Sequence, residues 1–188
     1  MRYKPGHNAE RRQALLQTSG RVVKQNGFAA TGVDALTQAA GVTSGAFYTH
    51  FASKAELLKA LIESESQASR QRWDGDPQLS DDEWIATTLA RYLHPDHVHH
   101  PESGCVLPAL TAEIARADQD TRQVFEDGLR QVTAALSQRL GSDERAWAFL
   151  SQVVGAVLIA RALPNEASQR QVLQASQQFI RQALAAAG

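Results

Sequence analysis

The stretch TGVDALTQAAGVTSGAFYTHFASK, residues 31–54, decides the fold. It predicts two short helices joined by a tight turn and followed by the start of a third. Thr31 is placed to cap the first helix, with Asp34 three residues on as a shortened capping box. Val33, Leu36 and Ala40 recur at helical spacing and give that helix one apolar face. Gly41 supplies the left-handed position at which such a helix stops. Thr43 then caps a second helix, Ser44 to His50, which ends among the rings of Phe47, Tyr48, His50 and Phe51. Its first turn carries no bulky side chain, so its backbone N–H groups can approach an anion such as phosphate. Ser53 and Glu56 predict a full capping box for the third helix. Lys54 lies in that helix's first turn, where the dipole opposes a cation unless an external anion or solvent compensates it.

Helix, glycine turn and helix form the pattern of a DNA-binding helix-turn-helix. Here the pattern lies within Gly27-Phe28, Thr31-Gly32-Val33, Ala39-Ala40-Gly41-Val42, Gly45-Ala46-Phe47-Tyr48, His50-Phe51 and Ser53-Lys54. Over about Ala14 to Leu61 the chain resembles the TetR family of transcriptional regulators. The resemblance implies an all-α fold, with a DNA-binding head at residues 1–54 and a ligand-sensing, dimerising body at residues 55–188. It places Thr43, Ser44, Gly45, Tyr48, Thr49, His50 and Lys54 at positions that touch palindromic operator DNA. Many relatives carry Lys where Ser44 stands. They usually have an apolar residue in place of Gly20 and an aromatic in place of Val23, which predicts a looser head here. The resemblance also implies a homodimer joined by the last two helices as a four-helix bundle.

Charge supports an oriented molecule. The net charge of −1 divides into +5 over residues 1–54, with 7 Lys or Arg against 2 Asp or Glu, and −6 over the remainder. A basic third on an acidic body presents one face to a polyanion. Arg2, Tyr3, Lys4, Pro5, Gly6 and His7 form a basic arm able to follow a groove. Arg11 and Arg12, near the start of a helix capped by Asn8, are further phosphate candidates. At 188 residues and 43% hydrophobic composition the chain can bury a proper core. No run of about 20 apolar residues and no leader is evident, so a cytoplasmic protein without membrane contact is expected. The single cysteine excludes an internal disulfide.

The body reads as a series of capped helices. Ser80 and Glu83 form a capping box, Asp118 caps a helix closed by Gly141, and apolar helices follow from Ser142 and about Asn165. Apolar residues on more than one side of these last helices predict a partner surface that includes Val154, Val157, Leu158, Phe179 and Ile180, with Ala156 and Ala160 allowing close approach. An effector pocket is expected between the helices starting at Ser53, after Cys105 and at Asp118. Trp84, Leu110, Phe125, Leu129 and Trp147 are its candidate lining, which favours a small hydrophobic or reactive molecule.

Four of the six histidines and the only cysteine fall between His94 and Cys105. Two prolines predict an irregular segment there as far as Ser103. Cys105 at a helix start near histidines has two readings, a small packing residue or a thiolate that reacts with oxidants or electrophiles. With no lysine beyond Lys59, a Cys–Lys link within the body is excluded. His97 and His99 with Cys105 match no standard metal spacing, and a solvated loop is the plainer reading. Neither a metal nor a cofactor is called for. A Cys–His enzyme lacks a third catalytic group and an oxyanion motif. An interaction module that does not bind DNA is separated from a regulator by a DNA-binding measurement.

Overall fold

Among the described residues the chain forms ten α-helices and one 3-10 turn, and no strand occurs. The structure is a computed structural model and describes residues 5–185. Arg2, Tyr3 and Lys4 of the basic arm lie outside that range. Helix α1, Pro5–Asn26, begins three residues before Asn8, so Asn8 is inside the helix rather than its cap.

The head consists of α1, α2 (Val33–Ala39) and α3 (Ser44–His50). Thr31 does not cap α2. Its hydroxyl donates to the Gly27 carbonyl at 2.6 Å, and Gly32 takes the cap position with no side-chain bond. Thr43 does cap α3, accepting from the Ala46 N–H at 3.2 Å. Gly41 has φ +65°, the left-handed backbone on which the α2–α3 turn depends. Leu15, Leu16, Val23, Leu36, Phe47 and Phe51 fill the space between these helices. Gly20 faces α4, Lys54–Asp74, rather than the interior of the head. A Cβ there would stand 3.1 Å from Leu61 Cδ2, so the glycine lets α1 lie close on α4.

Helix α4, Lys54–Asp74, runs without a break from head to body. Ser53 caps it through the Glu56 N–H, but the Glu56 carboxylate bonds the Ala52 N–H, so the box closes one residue earlier than expected. In the body α4 packs along α8, Gln119–Leu140. Gly128 faces Ser66 there at a distance no Cβ would permit. Helix α5, Asp81–Tyr92, starts at the Ser80–Glu83 capping box, and α8 at Asp118, whose carboxylate accepts from the Thr121 N–H at 2.8 Å.

The His94–Ser103 segment is ordered, not irregular. It forms α6, Pro95–His99, and a 3-10 turn, Pro101–Ser103, each with proline in its first turn, where no N–H is required. Helix α7, Leu107–Ile114, follows and tolerates Pro108 for the same reason. Helices α9 (Asp143–Ala162) and α10 (Glu166–Ala185) pack on each other, and α9 also packs on α8. Helix α9 is long and apolar enough to span a membrane by length and composition, which the sequence reading had not credited to any segment. In the fold its Phe149, Leu150, Val153 and Val157 enter the protein's own core.

Candidate nucleic-acid interface and body cavity

Helix α3 is held from below and open above. Phe47 is fully buried and contacts Tyr48 edge-on at 5.2 Å and Phe51 at 5.8 Å. Tyr48 itself is 57% exposed. Thr43, Ser44, Gly45 and Thr49 are exposed with it, and His50 is half-buried. A Cβ on Gly45 would meet nothing closer than the Thr43 hydroxyl at 3.9 Å, so that face is open for close approach by a partner.

Several expected contact residues also have work inside the head. The Ser44 hydroxyl donates to Asp34 at 3.1 Å, fixing α3 on α2, and the Thr49 hydroxyl bonds the Gly45 carbonyl. Lys54 donates to the Phe28 carbonyl and lies 4.3 Å from the Phe28 ring centroid. Its charge is therefore compensated by the end of α1 before any external anion is invoked. Arg12 likewise covers the Phe51 ring at 4.7 Å.

The body contains a cavity of about 220 Å³ between α4, α5 and the α6–α7 segment. Arg72, Trp73, Arg91, Tyr92, His97 and Cys105 are among its walls. Of the six residues expected around an effector, Cys105 alone lines this cavity. Trp84 and Leu110 are buried packing residues, Phe125 and Leu129 lie against the core, and Trp147 is 39% exposed.

The histidines have structural duties. His94 caps α6, His99 pairs with Gln169 at 2.9 Å, and His100 stands 3.3 Å from Glu102. His97 Nδ1 lies 2.8 Å from the Tyr92 carbonyl, while Nε2 accepts the Cys105 N–H at 2.9 Å. That pair of bonds requires the neutral ring protonated on Nδ1. Burial, aided by Arg161, Arg72 and Lys24, pulls the His97 pKa below its usual value, although the Tyr92 carbonyl opposes the shift. Among the described residues, no group of three or more His, Cys, Asp or Glu side chains is arranged to hold a metal ion.

The sequence profile of the bacterial regulatory proteins, tetR family, matches residues 15–61. The HTH-type transcriptional repressor NemR of Escherichia coli K12 is 33% identical over 132 residues, 69% of this chain and 66% of the repressor. The repressor BepR of Brucella suis is 30% identical over 125 residues, 66% of this chain and 52% of its own. The crystal structure of E. coli NemR in its reduced form superposes with a TM-score of 0.80 at 25% identity, covering 92% of this chain and 96% of that one.

The chain belongs to the TetR family.

Within this TetR-family fold, two sets of residues escaped the sequence reading. Lys24, on α1, donates to Glu65 at 2.9 Å and to the Gly104 carbonyl at 3.1 Å, and Glu113, on α7, accepts the Phe28 N–H at 2.9 Å. These three bonds join head to body across many tens of residues, and no local pattern announces them. The arginines in and behind the cavity are equally silent in sequence, since Arg72, Arg91 and Arg161 sit on three separate helices. Arg72 and Arg91 are both exposed residues.

The expected partner surface divides in two. Val157 and Ile180 are buried in the protein's own core, as are Ala156 and Ala160, so none of the four is available to a second copy. Val154 is half-buried. Leu158 at 50%, Ile159 at 55% and Phe179 at 61% remain exposed.

Proposed function

We propose that this chain is a homodimeric, cytoplasmic transcriptional repressor that holds a palindromic operator through α3 and releases it when a small effector occupies the body cavity. The observation that carries the reading is the open face of α3. Gly45 stands clear of all neighbours while Thr43, Ser44, Tyr48 and Thr49 surround it, over a floor of buried Phe47 and Phe51. A rigid, shallow helix end of this kind fits a major groove, with the backbone N–H groups and Tyr48 facing phosphate. Residues 1–54 act as the DNA-binding head and 55–188 as the sensing and dimerising body. The basic charge of the first third supplies the long-range attraction. The role is regulatory, not enzymatic.

Dimerisation through α9 and α10 is supported by Leu158, Ile159 and Phe179, large apolar side chains exposed on adjacent helices. Two heads so joined would meet half-sites separated by about one turn, roughly 34 Å. Selection of bound duplexes from a random DNA pool tests the whole reading. A two-fold symmetric consensus with that spacing is expected, and a pool that shows no enrichment contradicts it.

A second reading concerns the trigger. Cys105 lines the cavity, and the Leu107 N–H points at its sulfur from 3.5 Å. The similar NemR structure is of a reduced form. Covalent capture of an electrophile by Cys105 is thus an alternative to reversible binding. Treating the protein–DNA complex with N-ethylmaleimide, for wild type and Cys105→Ser, separates them. Release confined to wild type supports the thiol trigger, and equal behaviour returns the role to a noncovalent effector.

A further inference from the structure

Three guanidinium groups converge beside Cys105. Arg72 on α4 and Arg91 on α5 line the cavity, and Arg161 on α9 stands behind Gly104. Arg91 donates to the Arg72 carbonyl at 2.8 Å and Arg161 to the His97 carbonyl at 2.7 Å. Among the described residues neither has a carboxylate partner, and the Nε of Arg161 is buried without a hydrogen bond. Burial holds both arginines below their ordinary pKa range, and neighbouring Arg72 adds to the effect at Arg91.

Of the acidic groups nearby, Glu102 acts on Arg161 without forming an ion pair and stands 3.3 Å from His100. Glu65 lies 3.9 Å from Arg72 but holds Lys24 at 2.9 Å. Asp96 is an exposed rim residue 3.3 Å from His94. A further polar group is the Tyr92 hydroxyl, buried beside the Cys105 thiol on a side chain only 7% exposed. Burial first, and then the adjacent Cys105 thiol, push the Tyr92 pKa well above its usual value, so it stays a neutral donor. The Tyr92 ring stacks on Trp73 at 5.0 Å, and both residues line the cavity.

We propose that this cavity binds a small aromatic carboxylate, its anionic end taken by the guanidinium groups of Arg91 and Arg72, its ring beside the aromatic pair Trp73 and Tyr92. Arg91, with no carboxylate in ion-pair reach, and Arg72, whose one carboxylate at 3.9 Å is already held by Lys24, are the complement of a carboxylate. Size points the same way. A cavity of about 150 Å³ accepts benzene, so one of about 220 Å³ has room for a ring with one carboxylate. The proposal rests on the reading of this cavity as the effector site and narrows the chemistry of the effector.

The test uses the full chain without DNA, so its failure would leave the DNA-binding reading untouched. Calorimetric titration compares benzoate with benzamide, its neutral counterpart of nearly the same shape. Benzoate is expected to bind at least about tenfold more tightly, as a charge-assisted bidentate contact does over a neutral one. Arg91→Gln should abolish the preference, and Arg91→Lys should retain part of it. Equal affinity for the two probes in wild type, or no benzoate binding, overturns the proposal even if the arginine variants fail to fold. A preference intact in a folded Arg91→Gln protein overturns it as well.

Discussion

The Lys24 ammonium on α1 donates to the carbonyl of Gly104 at 3.1 Å, so the first helix of the head is tied to the residue that precedes Cys105. The same ammonium pairs with Glu65 on α4, and its side chain is only 7% exposed. One buried cation thus touches the head, the connecting helix and the wall of the cavity. A shift of Gly104 on ligand binding would move α1 directly, in addition to any tilt of α4.

Lys24→Met keeps the aliphatic stem and removes the charge. It leaves the Glu65 carboxylate facing only Arg72, 3.9 Å away. A loss of about 3 kcal/mol is expected, the lower end for breaking a buried pair, because Arg72 offers partial compensation. Urea denaturation at neutral pH measures it, and an unchanged midpoint would show that the pair adds nothing.

Glu113 is the second tie. Its carboxylate accepts from the backbone N–H groups of Phe28 and Ala29, just past the end of α1. Glu113→Ala should cost about 1–3 kcal/mol by removing a charged acceptor from both N–H groups. Hydrogen exchange at Phe28 and Ala29 should accelerate while amides in α8 keep their protection. Uniform loss of protection would instead place Glu113 in the global core.

Much of this molecule was legible in advance because its signals are local. Thr43, Ser53, Ser80, Asp118 and Ser142 each cap the helix predicted from them, and Gly41 turns the chain where expected. Such signals depend on neighbours three or four residues away. Thr31 was misread because its hydroxyl is drawn backward to Gly27, a choice set by burial against the head's core. The Lys24, Glu113 and cavity-arginine contacts depend on residues brought together by the tertiary fold, so periodicity carries no trace of them.

The apolar faces of α9 and α10 show the same limit. Val154, Val157 and Leu158 all read as surface for a partner, yet the helix rotates Val157 into its own core and leaves Leu158 outside. The two positions therefore predict different outcomes. Val157→Arg buries an uncompensated charge and should unfold the protein. Leu158→Arg, or Phe179→Arg, should leave the helical circular dichroism intact and shift sedimentation from dimer to monomer. A dimer that persists in both exposed-site variants would put the interface elsewhere.

His97 gives a pH signature. Its folded pKa lies below the ordinary value of 6.5, so the unfolded chain binds more protons as pH falls through that value. The stability it contributes is complete above 6.5 and is lost progressively towards the lowered folded pKa. Melting temperatures of wild type should therefore fall more steeply below neutrality than those of His97→Asn. Parallel pH profiles for the two proteins would contradict this assignment.

The central claim is that the open end of α3 meets DNA, and Gly45→Glu tests it most directly. Position 45 lies in the first turn of α3 and has open space around it. A carboxylate there favours the helix dipole, by about 0.3–1 kcal/mol, and offsets the propensity of glycine. The same charge would face phosphate if α3 enters a groove. The account predicts a protein at least as stable as wild type whose affinity for its selected duplex falls by about a hundredfold or more, the scale of a few kcal/mol of like-charge repulsion. Equal stability with undiminished DNA affinity would contradict it.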